Sequence, residues 1–72
     1  MLTELNYKTA STAEDNKALE TFYKNKHNYQ SDNTDIDQLK YAAAKMTMDC
    51  FNKTPYVVAT DEFELKLYRK EN

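Results

Sequence analysis

The fold of this chain of 72 residues is decided by residues 34–52, which read TDIDQLKYAAAKMTMDCFN. Thr34, with Asp37 three residues later, is close to a capping box, and an acidic first turn suits the positive end of the helix dipole. The three consecutive alanines of the stretch are the strongest helix formers. Asn52 and then Pro55 end the pattern. We therefore predict a helix through most of this stretch.

At about 100° per residue, this helix carries two apolar stripes. The core stripe consists of Ile36, Leu39, Ala43, Met46 and Cys50, with Ala42 beside it. The second, narrower stripe consists of Tyr41, Ala44, Met48 and Phe51, with Asp37 at its N-terminal end. A surface helix needs only one apolar face. We expect the second stripe to be covered by the N-terminal segments of this chain, by a second copy or by a foreign partner.

The segments before this helix predict a strand, a helix and a loop. Residues 3–8 alternate weakly between apolar and polar side chains, as a half-buried strand does. Ser11 and Glu14 match a capping box, so a first helix should follow and end near Lys26. Residues 25–33 contain most of the turn-forming residues of the chain and predict a loop.

The residues after Pro55 predict a β-hairpin that turns near Asp61 and Glu62, because apolar and polar side chains alternate there with a period of two. The predicted cross-strand pairs are Val58 with Leu65 and Tyr56 with Leu67. One face of the hairpin would then be apolar and consist of Tyr56, Val58, Phe63, Leu65 and Leu67. The outer face would carry Val57, Ala59 and Tyr68.

Together these elements predict a single small α+β domain over residues 1–72, with the order βααββ. Two helices would pack on one face of a two- to three-stranded antiparallel sheet. Residues 70–72 are expected to fray. The alternative is a helical hairpin followed by a two-stranded ribbon, with residues 1–10 irregular.

The composition argues against an enzyme. Glycine is absent, whereas a P-loop, a dinucleotide-binding turn and an EF-hand each require glycine at positions of special backbone geometry. Cys50 is the only cysteine, and on the core stripe it behaves as a small hydrophobe rather than as a nucleophile paired with His27. We therefore predict no catalytic residues and no cofactor.

A metal site is also not expected. Asp32, Asp35 and Asp37 do not match a calcium loop, which needs a central glycine and a final glutamate. Residue 43, where that glutamate would fall, is alanine. These carboxylates are explained by the electrostatics of a helix N-terminus.

Nucleic acid is a less favoured partner of this chain than another protein. The formal net charge is -2 and arginine supplies only one of ten basic residues, so a strong salt-driven nucleic-acid binder is unexpected. Basic and aromatic side chains do alternate, as in single-strand binders, in the set Tyr23, Lys24, Lys26, His27 and Tyr29. A small nucleic-acid-associated regulator that uses this set is the alternative function.

The sequence predicts neither a membrane segment nor a signal peptide. No stretch approaches the roughly 18 apolar residues of a membrane span, and the N-terminus lacks a basic start followed by an apolar run. A cytoplasmic protein is therefore expected. The absence of Gly and the abundance of Asn, Lys and Tyr are typical of an AT-rich genome, such as that of a phage, a mobile element or a low-GC bacterium.

The residues left over from the core predict a protein-binding surface. Tyrosine suits such a surface because it offers apolar area with a polar tip. We predict apolar contacts to a partner from Tyr41, Met48, Tyr56 and Tyr68. We predict electrostatic steering from Asp61, Glu62 and Glu64. The expected partner is a larger host protein or complex, and a homodimer is the second candidate.

One segment also resembles a known kind of protein. Leu39, Ala44 and Lys45 lie in a helix that leads through the junction Cys50-Phe51-Asn52-Lys53-Thr54 into a hairpin. This segment is similar to a helix-to-strand unit of some small phage proteins, certain anti-CRISPR proteins among them, and it covers about half of the chain. Those proteins often carry Gly in the hairpin, which this chain lacks. The resemblance implies a non-enzymatic phage inhibitor that binds a host complex.

Overall fold

The computed structural model describes residues 1–31, 35–52 and 55–71. It confirms a small α+β fold in which two helices accompany a three-stranded antiparallel sheet. The elements in chain order are β1 (Leu2–Glu4), α1 (Ala13–Gln30), α2 (Ile36–Phe51), β2 (Tyr56–Asp61) and β3 (Glu64–Lys70). The strand order is β1-β3-β2, so the last strand lies in the centre and β2 forms one edge.

The core lies between the helices and one face of the sheet. Alternate residues of β2 and β3 face the helices, which is why Val58 and Leu67 are buried while their neighbours are not. Leu19 of α1 and Met46 of α2 are fully buried against this face. Both side chains sit on the apolar stripes that the helical period predicts.

The hairpin register differs from the predicted one by two residues. Val58 pairs with Leu67, and the strands continue together as far as Asp61 and Glu64. A shift of two keeps the same side chains on the core face, because the side-chain period of a strand is two. Only the position of Phe63 changes: it lies in the turn, with 69% of its surface exposed.

The turn residues Glu62 and Phe63 both have positive φ, 52° and 67° respectively. Two-residue hairpin loops need positive φ at both central positions when they adopt the type I′ form, and Gly or Asn usually supplies it. This chain has no glycine to place there. The turn therefore places two non-glycine residues in a backbone region that is unfavourable for them.

The first helix extends to Gln30, so residues 25–30 are helical where a loop was predicted. Tertiary contacts hold this last turn. The Tyr29 hydroxyl donates to Asp49 Oδ2 at 2.8 Å, and Gln30 Oε1 accepts a hydrogen bond from the Leu65 N–H at 3.3 Å. Turn-forming residues therefore remain helical here because α2 and β3 supply partners for their side chains.

The helix starts are displaced by one residue from the predicted caps. Thr12, not Ser11, caps α1, and its hydroxyl accepts from the Asp15 N–H at 3.0 Å. Asp35 caps α2 by accepting from the Gln38 N–H at 2.9 Å. The predicted cap Thr34 lies outside the described residues.

The two ends of the chain pair with each other. β1 is shorter than predicted, because Asn6 begins a turn in which its side chain accepts from the backbone N–H of Lys8. At the other end, where fraying was expected, the N–H of Lys70 donates to the Pro55 carbonyl at 2.8 Å. The N–H of Glu71 donates to the Met1 carbonyl at 2.7 Å. Antiparallel pairing therefore continues through Glu71.

Candidate functional site

The solvent side of α2 carries an apolar surface, which we call the α2 surface and which consists of Tyr41, Ala44 and Met48. Tyr41 is 73% exposed and Met48 is 68% exposed. They lie seven residues apart, two helical turns, so both point the same way, with the small Ala44 between them. Single exposed apolar residues are common, but two large ones in line on one helix form a continuous patch.

Beside the α2 surface, a shallow groove of about 420 Å³ separates α2 from the edge strand β2. Residues that line this α2–β2 groove include Lys40, Ala44, Met48, Val57, Ala59 and Thr60. Because small side chains form much of its lining, the groove has room for a larger side chain from another molecule. Ala44 and Met48 belong to both features, which makes the α2 surface and the groove one contiguous apolar region.

At the centre of the β2 edge beside this groove, a side chain from α2 occupies an outward-facing backbone N–H. The Val58 N–H donates to the hydroxyl oxygen of Thr47 at 2.8 Å. Thr47 itself lies on α2, where its hydroxyl is also 2.8 Å from the Ala43 carbonyl oxygen. Unpaired backbone groups on an edge strand recruit other strands, and a side-chain cap prevents this. Binding at this edge is therefore expected to use side chains rather than strand addition.

Two aromatic residues that were expected near this surface lie in the core instead. Phe51 of the second stripe is 4% exposed and packs edge-on against Tyr56, with 6.2 Å between ring centroids. Tyr56, a predicted partner contact, is itself 4% exposed. Its hydroxyl donates to Asp15 Oδ1 at 2.6 Å. The side chain of Tyr56 is therefore not available to a partner.

Sequence reasoning missed the polar network around Asp15, which is only 1% exposed. Its carboxylate accepts from the Tyr56 hydroxyl and from the Ser11 N–H, and it forms an ion pair with Arg69. Burial by itself raises the pKa of a carboxyl, but these hydrogen bonds and the Arg69 charge outweigh it and lower the pKa of Asp15 below its ordinary value. The network joins the start of α1 to the last two strands.

The sequence offered only a partial signal for this network. Asp15 stands three residues after Thr12, which marks it as a helix-start residue. Nothing local indicates that Arg69, 54 positions away, returns to the same place. The buried charge becomes visible only when β3 is placed beside α1.

The acidic hairpin tip is partly neutralised. Glu64 forms an ion pair with Lys26 at 2.8 Å, and this hydrogen bond lowers the pKa of Glu64. Asp61 lies 3.5 Å from Lys66. Glu62 forms no ion pair within residues 1–31, 35–52 and 55–71. Of the three predicted steering residues, Glu62 is therefore the one that has no charge partner in the part of the chain that the structure describes.

The sheet face opposite the helices carries Tyr68, as predicted, beside Val57 of the neighbouring strand. Both side chains are half-buried. Burial and the nearby charge of Asp61 raise the pKa of the Tyr68 phenol. Next to it on this face, Lys66 lies 3.7 Å from Glu4. Tyr68 therefore belongs to a mixed polar and apolar surface, which adjoins the α2–β2 groove through Val57.

The structure brings only part of the basic and aromatic set of α1 together: Tyr23, Lys26 and His27 line one shallow depression. Tyr23 stacks on Tyr7 with 5.6 Å between ring centroids. Lys26 pairs with Glu64 and lies over the Phe22 ring. Tyr29 is bonded to Asp49, and this hydrogen bond, together with burial, raises the pKa of Tyr29 to about 12. Tyr23, Lys26 and Tyr29 therefore each have an intramolecular contact.

Two further properties of the described residues concern metal binding and membrane insertion. In the part of the chain that the structure describes, no three His, Cys, Asp or Glu side chains are grouped so as to hold a metal ion. Neither α1 nor α2 is long and apolar enough to cross a membrane. Asp35 caps α2, Asp37 lies in its first turn, and Asp32 lies outside the described residues.

Comparison with protein-family models, with curated proteins and with solved structures finds no match to this chain. The function is therefore inferred from this chain itself, and the contiguous region formed by the α2 surface and the α2–β2 groove is the candidate site.

Proposed function

We propose that this chain is a small non-enzymatic protein-interaction module that binds a larger protein through the α2 surface. The observation that carries the proposal is the exposure of Tyr41 and Met48, 73% and 68%, in line on one side of a helix whose opposite side packs in the core. Burying such side chains against a partner contributes about 25 cal/mol per Å² of apolar surface removed from water.

The neighbouring groove supports the same proposal. A binding surface with a helical ridge and an adjoining depression offers shape as well as apolar area. Large, rigid or adaptable side chains such as Tyr and Met are the types that anchor interfaces. Because Thr47 caps the edge of β2, we expect a partner to contribute side chains to the groove and not an added strand.

We further propose that the partner belongs to a host cell, and that the chain blocks it, as a phage or mobile-element inhibitor does. The support is the AT-rich character of the composition and the resemblance of residues 39–54, with the following hairpin, to a unit of small phage proteins. An inhibitor of this kind needs no chemistry of its own, because occupying a surface is sufficient.

A nucleic-acid-associated regulator is the less favoured function, because Lys26 and Tyr29 are engaged within the chain. A salt series separates the two functions. Binding to oligonucleotides in the absence of protein, with an affinity that falls steeply as salt rises, would favour nucleic acid.

The test places a photo-crosslinking amino acid at position 41 and exposes the protein to lysate of its host cell. A matched probe at position 24 of α1 is exposed but distant in sequence from the α2 surface. We expect one protein to be labelled from position 41 and not from position 24. Labelling should be lost when the bait also carries Met48→Ser, since this variant removes an apolar contact without disturbing the core.

The captured protein then allows a direct test of inhibition. Its activity or complex assembly should fall when the unmodified chain is added, and the Tyr41→Ser/Met48→Ser variant should be at least tenfold weaker, as loss of interface anchors predicts. Equal labelling from both positions, or a captured protein whose binding ignores these substitutions, would count against the α2 surface.

A further inference from the structure

The hairpin tip presents an aromatic side chain that the core does not use. Phe63 is 69% exposed at the turn between β2 and β3. A phenylalanine in such a position leaves most of its apolar area in water and adds little to the stability of the fold. It protrudes beyond the last cross-strand pair, Asp61 with Glu64.

The backbone conformation at Phe63 is also unusual for a bulky residue. Phe63 has a φ of 67°, a strained region that bulky residues seldom occupy. Strain of this kind concentrates at binding sites, where the surrounding structure holds a side chain in place for a contact. The tip thus carries a strained, exposed aromatic group.

The α2–β2 groove has the features that such a side chain would require. Its lining includes Ala44, Val57 and Ala59, with a volume of about 420 Å³. Lys40 lies at its rim and forms no ion pair among residues 1–31, 35–52 and 55–71. An aromatic group next to a free carboxylate would fill the groove and pair with this lysine.

The tip of the same chain supplies that combination, since Glu62 precedes Phe63 and is likewise without an ion pair in the described residues. We propose that Phe63 of one copy inserts into the α2–β2 groove of a second copy, with Glu62 against Lys40. The groove is lined by β2 and the tip directly follows β2. A two-fold axis that crosses the β2 edge therefore forms both contacts at once and closes the assembly as a dimer.

This dimer does not depend on the proposed function. A self-associating chain with no foreign partner would support the dimer and leave the host partner without support. The reverse result is equally distinguishable, because the dimer is tested with the purified chain alone. Met48 belongs to both surfaces, so a foreign partner and the second copy are expected to compete for the same region.

The test is sedimentation equilibrium of the purified chain over a wide concentration range. We expect a monomer–dimer equilibrium that stops at two copies. Phe63→Ala should raise the dissociation constant by roughly 30-fold or more, the effect typical of an interface anchor. The matched control is Tyr7→Ala, which removes another aromatic side chain, 73% exposed, from the opposite end of the chain and should leave association unchanged.

A charge exchange examines the second contact. Lys40→Glu alone should weaken the dimer by placing two carboxylates together, and adding Glu62→Lys should restore it. Far-ultraviolet circular dichroism confirms that each variant is folded, which is expected because all four substituted side chains are exposed. A monomer at every concentration, assembly beyond two copies, or a dimer unaffected by Phe63→Ala would overturn the proposal.

Discussion

The two helices lie on the same face of the sheet, but they use polar and apolar side chains in opposite ways. α1 buries a charged residue, Asp15, whereas its solvent side carries exposed charges such as Lys17 and Lys24. α2 buries only apolar side chains and exposes Tyr41 and Met48. The first helix is thus completed by contacts within the chain, whereas the second retains apolar area that a partner can cover.

The largest expected effect comes from removing the buried charge of Asp15 in α1. Asp15→Asn should lower the free energy of unfolding by about 2 kcal/mol, because the Tyr56 hydroxyl and the Ser11 N–H lose a charged acceptor, whereas Arg69 keeps its ion pair with Glu71. Urea denaturation followed by circular dichroism measures the change. Glu14→Gln, the exposed neighbour in the same turn, is the control and should stay within about 0.5 kcal/mol. Equal losses would show that the buried charge has no special role.

Acid should affect the α1 side through the same carboxylate. The pKa of Asp15 in the folded state lies below its ordinary value of 3.8, so its contribution to stability is full above that pH and is lost as the pH falls through the folded-state pKa. The free energy of unfolding should therefore decrease below about pH 4. Glu64 contributes in the same direction. Urea titrations at several pH values should show a shallower acid decrease for Asp15→Asn, and parallel decreases would contradict this assignment.

On the α2 side, the edge cap provides a smaller and more local effect. Thr47→Val should cost about 1 kcal/mol, since the Val58 N–H loses its hydrogen-bond acceptor. Thr47→Ser keeps the hydroxyl and should retain most of the stability. Amide hydrogen exchange measured by nuclear magnetic resonance should become faster at Val58 in the valine variant only. Unchanged exchange would mean that the hydroxyl does not protect this edge.

Substitutions at the hairpin tip should increase the stability of the monomer instead of decreasing it. Replacing Glu62 with Asn and Phe63 with Gly should stabilise the monomer by about 1 kcal/mol, because these residues accept positive φ without strain. Thermal unfolding at low protein concentration measures the gain. Phe63→Ala is the control, since alanine keeps a Cβ and should give little benefit. A glycine variant that is no more stable than the alanine variant would show that the tip is unstrained.

The smallest effect is expected at the α2 surface itself. Met48→Ala should change the free energy of unfolding by no more than about 0.5 kcal/mol, because the side chain is 68% exposed. Met46→Ala, two residues earlier on the buried side, should cost about 3 kcal/mol by leaving a cavity. Urea denaturation compares the two. A large loss of stability on Met48→Ala would mean that this methionine is part of the core. The two helices would then not differ in the apolar area that they expose.

Local patterns predicted most of the architecture. The period of α2 placed Leu39, Ala43 and Met46 in the core, and the alternation after Pro55 placed Val58 and Leu67 on the buried sheet face. These features follow from side-chain direction along a helix or strand, which neighbouring residues determine. The same reasoning identified Tyr41 and Met48 as surplus apolar residues, and both are exposed.

The predictions that failed are those that depend on a distant partner. Tyr56 looked like an interface residue because tyrosine is amphipathic, but Asp15 gives its hydroxyl a partner inside the fold. Residues 25–30 looked like a loop, but contacts with Asp49 and Leu65 keep them helical. Phe63 looked like a core residue until the register was known, since the number of strand pairs determines which residues form the turn.

The amino-acid sequence by itself therefore determined the order of elements, the buried stripe of α2 and the absence of glycine from every turn, because composition and periodicity are properties of the chain alone. Only the tertiary structure decided the hairpin register, the burial of Asp15 beside Arg69 and the position of the groove next to β2. Those features depend on side chains that are far apart in sequence, and their energies exist only once the sheet and the helices have packed together.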